Sequence, residues 1–114
     1  ELVGGYAEAV LTPNAAEHRR LAKAVLGSED ADTAALCRAL AGPTVVRKGD
    51  PDLICSPDAD KRPLECTEEG APRRPGGLGD LLAGSMAVLV AWAALRGRDR
   101  AWACQAACTI VRRA

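Results

Sequence analysis

The chain has 114 residues, enough for one small domain, and its 15 basic and 15 acidic side chains cancel. One Tyr and two Trp are not interleaved with the arginine pairs at 19–20, 73–74 and 112–113, so there is no basic, base-stacking face and nucleic acid is argued against. Five cysteines with one His and no Cys-x-x-Cys pair argue against zinc and a disulfide framework, which makes a reducing compartment the default.

The chain opens Glu1-Leu2-Val3-Gly4-Gly5, with neither an initiator Met nor a basic leader, and so reads as an internal piece of something longer, with any targeting information elsewhere. Ala9-Val10-Leu11 is a short apolar run that ends in Thr12-Pro13-Asn14. After it Ala15, Ala16, Leu21, Ala22, Val25 and Leu26 recur at helical spacing. Asn14 fits an N-cap and Glu17 its capping-box partner, which explains both residues without any function. A Gly/Ser/acidic turn over 27–32 leads to a second helix, Thr33 to Ala41, stopped by Gly42-Pro43.

Thr44-Val45-Val46 reads as a β-branched strand running into the polar turn Arg47-Lys48-Gly49-Asp50-Pro51-Asp52, whose composition suits an ordinary hairpin. Leu53-Ile54-Cys55 continues the sheet, Ser56 to Arg62 is a surface turn, and Pro63 to Thr67 is the return strand. Leu81 to Leu95 carries no charge. At 15 residues it falls short of the roughly 20 that cross a bilayer, so it reads as a buried core helix. Asp99 then caps a last helix, in which Cys104 and Cys108 lie one turn apart on a shared buried face and Arg112-Arg113 are solvated at the C-terminus. Strands alternate with helices, so the fold class is α/β.

Gly76-Gly77-Leu78-Gly79-Asp80 stands at the mouth of the apolar helix. A helix start offers unpaired N–H groups, and glycines let an anion approach them, which makes a ready phosphate or oxyanion site. Asp80 then either caps the helix or acts as a base on a hydroxyl that attacks a phosphoryl group.

Gly77-Leu78-Gly79-Asp80 resembles the C-terminal signature of the ribokinase-like superfamily. With the flanks, Gly70-Ala71-Pro72-Arg73-Arg74-Pro75-Gly76 before it and Leu81-Leu82-Ala83-Gly84-Ser85 after it, it is similar to the eukaryotic ATP-dependent NAD(P)H-hydrate dehydratase family. Thr12-Pro13-Asn14-Ala15-Ala16-Glu17-His18-Arg19-Arg20 resembles that family's substrate-facing segment, and Lys48-Gly49-Asp50-Pro51-Asp52 its nucleotide-side turn. The three motifs occur in the family's order. Pro75 and Leu78 depart from it, standing where relatives carry a small thiol residue and a polar residue.

The resemblance implies the C-terminal part of a ribokinase-like three-layer sandwich, less than half of the full domain. It implies Asp80 as catalytic base, residues 48–52 and 70–79 around ATP, and residues 14–20 with Asp80 around a hydrated NADH or NADPH. Mg²⁺ would bridge the phosphates, with Glu17 reaching it through water. No ligand is assigned to a metal directly, and His18, which replaces an aromatic, reads as a packing or surface residue. Partners are small nucleotides and neither nucleic acid nor membrane, with homo-oligomers left open. The location implied is mitochondrial or cytoplasmic. Two other readings stand beside this one: a fragment that is inactive without its other half, and a small-molecule kinase of the same superfamily.

Overall fold

The computed structural model describes residues 4–58, 60–69 and 77–113. In chain order they form β1 (Val10–Leu11), α1 (Ala15–Leu26), α2 (Thr33–Leu40), β2 (Thr44–Arg47), β3 (Asp52–Cys55), β4 (Leu64–Cys66), α3 (Leu78–Leu95) and α4 (Arg100–Arg113). The strands make one sheet in the order β1-β2-β3-β4. β1 runs parallel to β2, while β2, β3 and β4 form an antiparallel meander.

Two-residue periodicity sorts the strand side chains into two cores. Val46 pairs with Ile54 and Ile54 with Leu64. These face α3 and α4, where Leu82, Met86, Cys104, Ala107 and Cys108 close a core with Val46, Ile54 and Cys66. Their neighbours Val45 and Cys55, themselves a pair, face the opposite side and pack on Leu36, Cys37 and Leu40 of α2. Helices therefore cover both faces, an α/β arrangement of three layers as expected for part of a ribokinase-like sandwich.

The turns follow from local chemistry. Asn14 Oδ1 accepts the Glu17 N–H and Glu17 Oε2 accepts the Asn14 N–H, both at 2.8 Å, so the capping box at the start of α1 is complete. Asp32 caps α2, accepting the Ala35 N–H at 2.7 Å. Ala41 follows α2 as a left-handed cap rather than as its last helical residue. At Gly42 the chain crosses itself closely: a Cβ there would sit 2.4 Å from the Gly5 carbonyl carbon.

α3 begins at Leu78 with Gly77 as N-cap, so Gly79 and Asp80 form its first turn. Two expectations about the C-terminal helices fail. α3 is not a buried helix. Over its 18 residues the mean hydropathy is 1.8, yet only 17% of them are buried. Leu81, Val88, Trp92 and Leu95 form one exposed stripe. By length and composition α3 would pass for a membrane span. Its Leu82 and Met86 nonetheless pack in the sheet core. The second correction concerns Arg112, expected in solvent: its side chain is buried against β3.

Candidate functional site

Because β1 and β2 are parallel, their C-terminal ends lie at the same edge of the sheet. That is where open α/β sheets bind ligands, since the loops leaving the strands diverge there. The chain leaving β1 is Thr12-Pro13-Asn14 and the chain leaving β2 is the Lys48 turn. They are joined by a backbone hydrogen bond, the Lys48 N–H donating to the Pro13 carbonyl at 2.8 Å. From the same residue the ammonium reaches the start of α3: Lys48 Nζ lies 3.6 Å from where a Cβ on Gly79 would stand. Lys48 thus ties together three segments far apart in sequence.

Gly77 takes φ 87° and ψ −2°, a left-handed conformation that costs an L-residue, and among the described residues no side chain caps the helix behind it. The first amides of α3 therefore have no side-chain cap among those residues and carry the positive end of its dipole. Asp80 is exposed in that first turn. The helix-cap role weighed for Asp80 is thus taken by Gly77, which leaves the carboxylate free of capping duty.

The remaining candidates separate into outward and inward groups. Asn14, Ala15, Ala16, Glu17, Arg19 and Arg20 are exposed on the first turns of α1. His18 is not: it is 5% exposed, with Nε2 3.0 Å from the Thr33 hydroxyl. This agrees with its reading as a packing residue: helical spacing turns position 18 inward toward α2, away from its exposed neighbours in the segment. Burial first, then the charge of Arg47, lowers its pKa, partly offset by Asp32.

On the nucleotide-side turn, Lys48 and Gly49 are half-buried, Asp50 and Pro51 are exposed, and the Asp50–Pro51 peptide is cis. Asp52 differs from its neighbours in the turn. Its carboxylate is buried, accepting from Arg112 Nε at 2.9 Å and from the Gly49 N–H at 2.9 Å, so it supports the turn from within rather than facing a phosphate. Residues Gly70, Ala71, Pro72, Arg73, Arg74, Pro75 and Gly76 lie outside the described residues.

Sequence reasoning missed Arg112 and the Pro13 carbonyl. Arg112 lies 60 residues from Asp52, a separation that no local pattern reveals. The Pro13 carbonyl is a backbone group that any residue type would offer.

A Mg²⁺ ion finds no protein-built cage here. Among the described residues no three His, Cys, Asp or Glu side chains cluster, and one Glu17 oxygen is already occupied by the capping box. Mg²⁺ usually keeps water and phosphate ligands, and a nucleotide would bring it along. The cysteines offer no alternative chemistry: all five are buried and unpaired. Burial pushes the Cys104 and Cys108 thiols up to about 12 and the Cys55 thiol to about 11, so they stay protonated as packing groups.

A groove of about 420 Å³ lies beside the loop leaving β1, lined by Glu8, Val10 and Thr12 on one side and by α3 residues including Met86 and Val90 on the other. It borders the edge of β1 that has no partner strand among the described residues.

Comparison with known proteins places this geometry. The sequence profile described as NAD(P)H-hydrate dehydratase matches residues 4–114. An ATP-dependent (S)-NAD(P)H-hydrate dehydratase of Ixodes scapularis is 50% identical over 94 residues, which are 81% of this chain and 30% of that protein. The Homo sapiens protein of the same name is 46% identical over 105 residues, 87% of this chain and 29% of its own length. That of Ciona intestinalis is 40% identical over 99 residues, 80% of this chain and 27% of its own length. The chain therefore spans under a third of each of these relatives. Its matched length and identity nevertheless decide its kinship: this chain belongs to the NAD(P)H-hydrate dehydratase family.

Proposed function

We propose that this chain carries the phosphoryl-transfer half of an ATP-dependent dehydratase that returns the S-form of hydrated NADH or NADPH to the reduced cofactor. The observation that supports it most is the convergence at Lys48, whose backbone holds the Pro13 loop and whose ammonium meets the glycine start of α3. Each part has one task. The Gly77-Leu78-Gly79 amides receive the transferring phosphoryl group, Lys48 neutralises charge on the ATP phosphates, and the exposed α1 start orients the nicotinamide substrate.

Asp80 takes the proton from the ring hydroxyl as its oxygen attacks the γ-phosphorus. The bond between that phosphorus and the β,γ-bridging oxygen breaks, and ADP leaves. Loss of the phosphate together with a ring proton then restores the ring double bond. Mg²⁺, carried with ATP, would supply charge neutralisation on the phosphates. Arg73 and Arg74 belong to this reading as further ATP contacts through the family resemblance.

The unpartnered β1 edge, the groove beside it and the exposed α3 stripe mark the side where we place the rest of the domain, which would complete both the sheet and the substrate pocket. On this reading the apolar face of α3 is protein-facing and not lipid-facing.

The test mixes a polypeptide holding the whole domain with ATP, Mg²⁺ and the S-hydrates of NADH and NADPH, following reduced-nicotinamide absorbance and released phosphate. ATP-dependent recovery with stoichiometric phosphate is the expected result for a polypeptide holding the whole domain. A stable phosphorylated product without recovery would make the protein a kinase instead.

A further inference from the structure

Arg112 ends the last turn of α4 with its guanidinium buried, the side chain being 6% exposed. The fork meets three separate groups. Nε donates to Asp52 Oδ2 at 2.9 Å, Nη1 to the Glu68 carbonyl at 3.1 Å, and Nη2 to the Gly49 carbonyl. Asp52 uses its other oxygen to accept the Gly49 N–H at 2.9 Å. One buried ion pair therefore holds Gly49 by both its carbonyl and its amide.

The neighbouring Lys48 is fixed on its other side by the Pro13 carbonyl. With its backbone held at 48 and 49, the lysine starts from a fixed position, and its ammonium lies beside Gly79. The Glu68 carbonyl belongs to the chain leaving β4, so the same guanidinium also ties down the strand exit that leads toward the glycine segment.

We infer that Arg112 is a positioning residue that fixes the Lys48-Gly49 turn and thereby sets affinity for ATP. The inference rests on the proposed ATP site. Arg112 does not touch substrate; it acts through Asp52, Gly49 and Lys48. A planar fork is required, because a lysine ammonium at the same place cannot reach three acceptors spread around a guanidinium.

The experiment compares the wild type, Arg112→Lys and Asp52→Asn in a polypeptide holding the whole domain. It measures ATP Kd by calorimetry, KM for ATP and for the hydrate, amide hydrogen exchange, and thermal melting. In Arg112→Lys, folded at the assay temperature, ATP Kd and KM rise about tenfold or more as charge-assisted bonds are lost, while KM for the hydrate stays within about twofold. Exchange at the Gly49 amide accelerates by a similar factor, with Val46 and Ile54 in the sheet unchanged. If Arg112→Lys does not fold, Asp52→Asn, which preserves shape, carries the same expectations.

ATP Kd within about twofold of wild type in a folded variant overturns the inference, as does equal weakening for both substrates. A wild type that binds no ATP overturns it together with the ATP site. A wild type that binds ATP but does not repair the hydrate overturns the dehydratase reading alone, and the Kd comparison still decides the role of Arg112.

Discussion

α3 and α4 are neighbours in sequence and pack on each other, yet they do opposite jobs. α3 is the more apolar, and it buries only Leu82, Met86 and Ala93 while showing Val88, Trp92 and Leu95 to solvent. α4 carries arginines at both ends and still buries Ala101, Ala103, Cys104, Ala107 and Cys108. The difference is placement. α4 lies across β2, β3 and β4, whereas α3 overhangs the β1 edge, where the described sheet stops. Apolar composition shows what a helix is able to bury, and the reach of the sheet decides what it does bury. The ends differ too: on the proposed reading α3 offers its N-terminus to the phosphoryl group, while the C-terminal Arg112 of α4 holds the Lys48-Gly49 turn.

The largest effect expected on this contrast is at the start of α3. Asp80→Asn in a protein holding the whole domain should lower ATP-dependent turnover by roughly 10²- to 10⁴-fold, the usual worth of a general base. Its melting temperature should stay unchanged, since the residue is exposed. Unaltered kcat would remove Asp80 from the mechanism.

Packing separates the helices next. Ile54→Ala, under α4, should cost about 2–5 kcal/mol in denaturant unfolding, because the side chain is fully buried. Val88→Ala on α3, 52% exposed, should stay within about 0.5 kcal/mol. Equal losses would mean that α3 is as buried as α4.

Gly77→Ala probes the backbone that starts α3. A left-handed alanine costs roughly 1–2 kcal/mol. Unfolding midpoints should report this loss, and weaker ATP binding should accompany it if the first turn shifts.

The smallest effect comes from the opposite face of the sheet, where His18 is a control independent of both helices. Its folded pKa is lowered by burial, so the unfolded chain binds the proton more readily. The resulting stability is complete above the unfolded value of about 6.5 and is lost as pH falls from there toward the folded value. The slope cannot exceed about 1.4 kcal/mol per pH unit for one proton. Subtracting the unfolding profile of His18→Gln should isolate it, and a slope of the opposite sign would refute the burial account.

Much of this molecule was legible in local chemistry. The capping box of Asn14 and Glu17, the β-branched strand at Thr44–Val46 and the return hairpin all follow from side chains acting on backbone within a few residues. The Gly77-Leu78-Gly79-Asp80 turn was legible for the same reason, and with two further motifs in order it identified the family.

Tertiary structure decided what local chemistry leaves free. The inward turn of His18, the burial of Asp52 and the pairing of Arg112 across 60 residues depend on which strand lies under which helix. An arginine near a helix C-terminus is equally content in water or beside a buried carboxylate. Sequence determined that this chain would have a glycine-rich helix start and a lysine turn. Only the packing of α4 over β3 and the parallel pairing of β1 with β2 brought them to one place, because a contact between distant residues is set by the sheet register and not by the residues' own propensities.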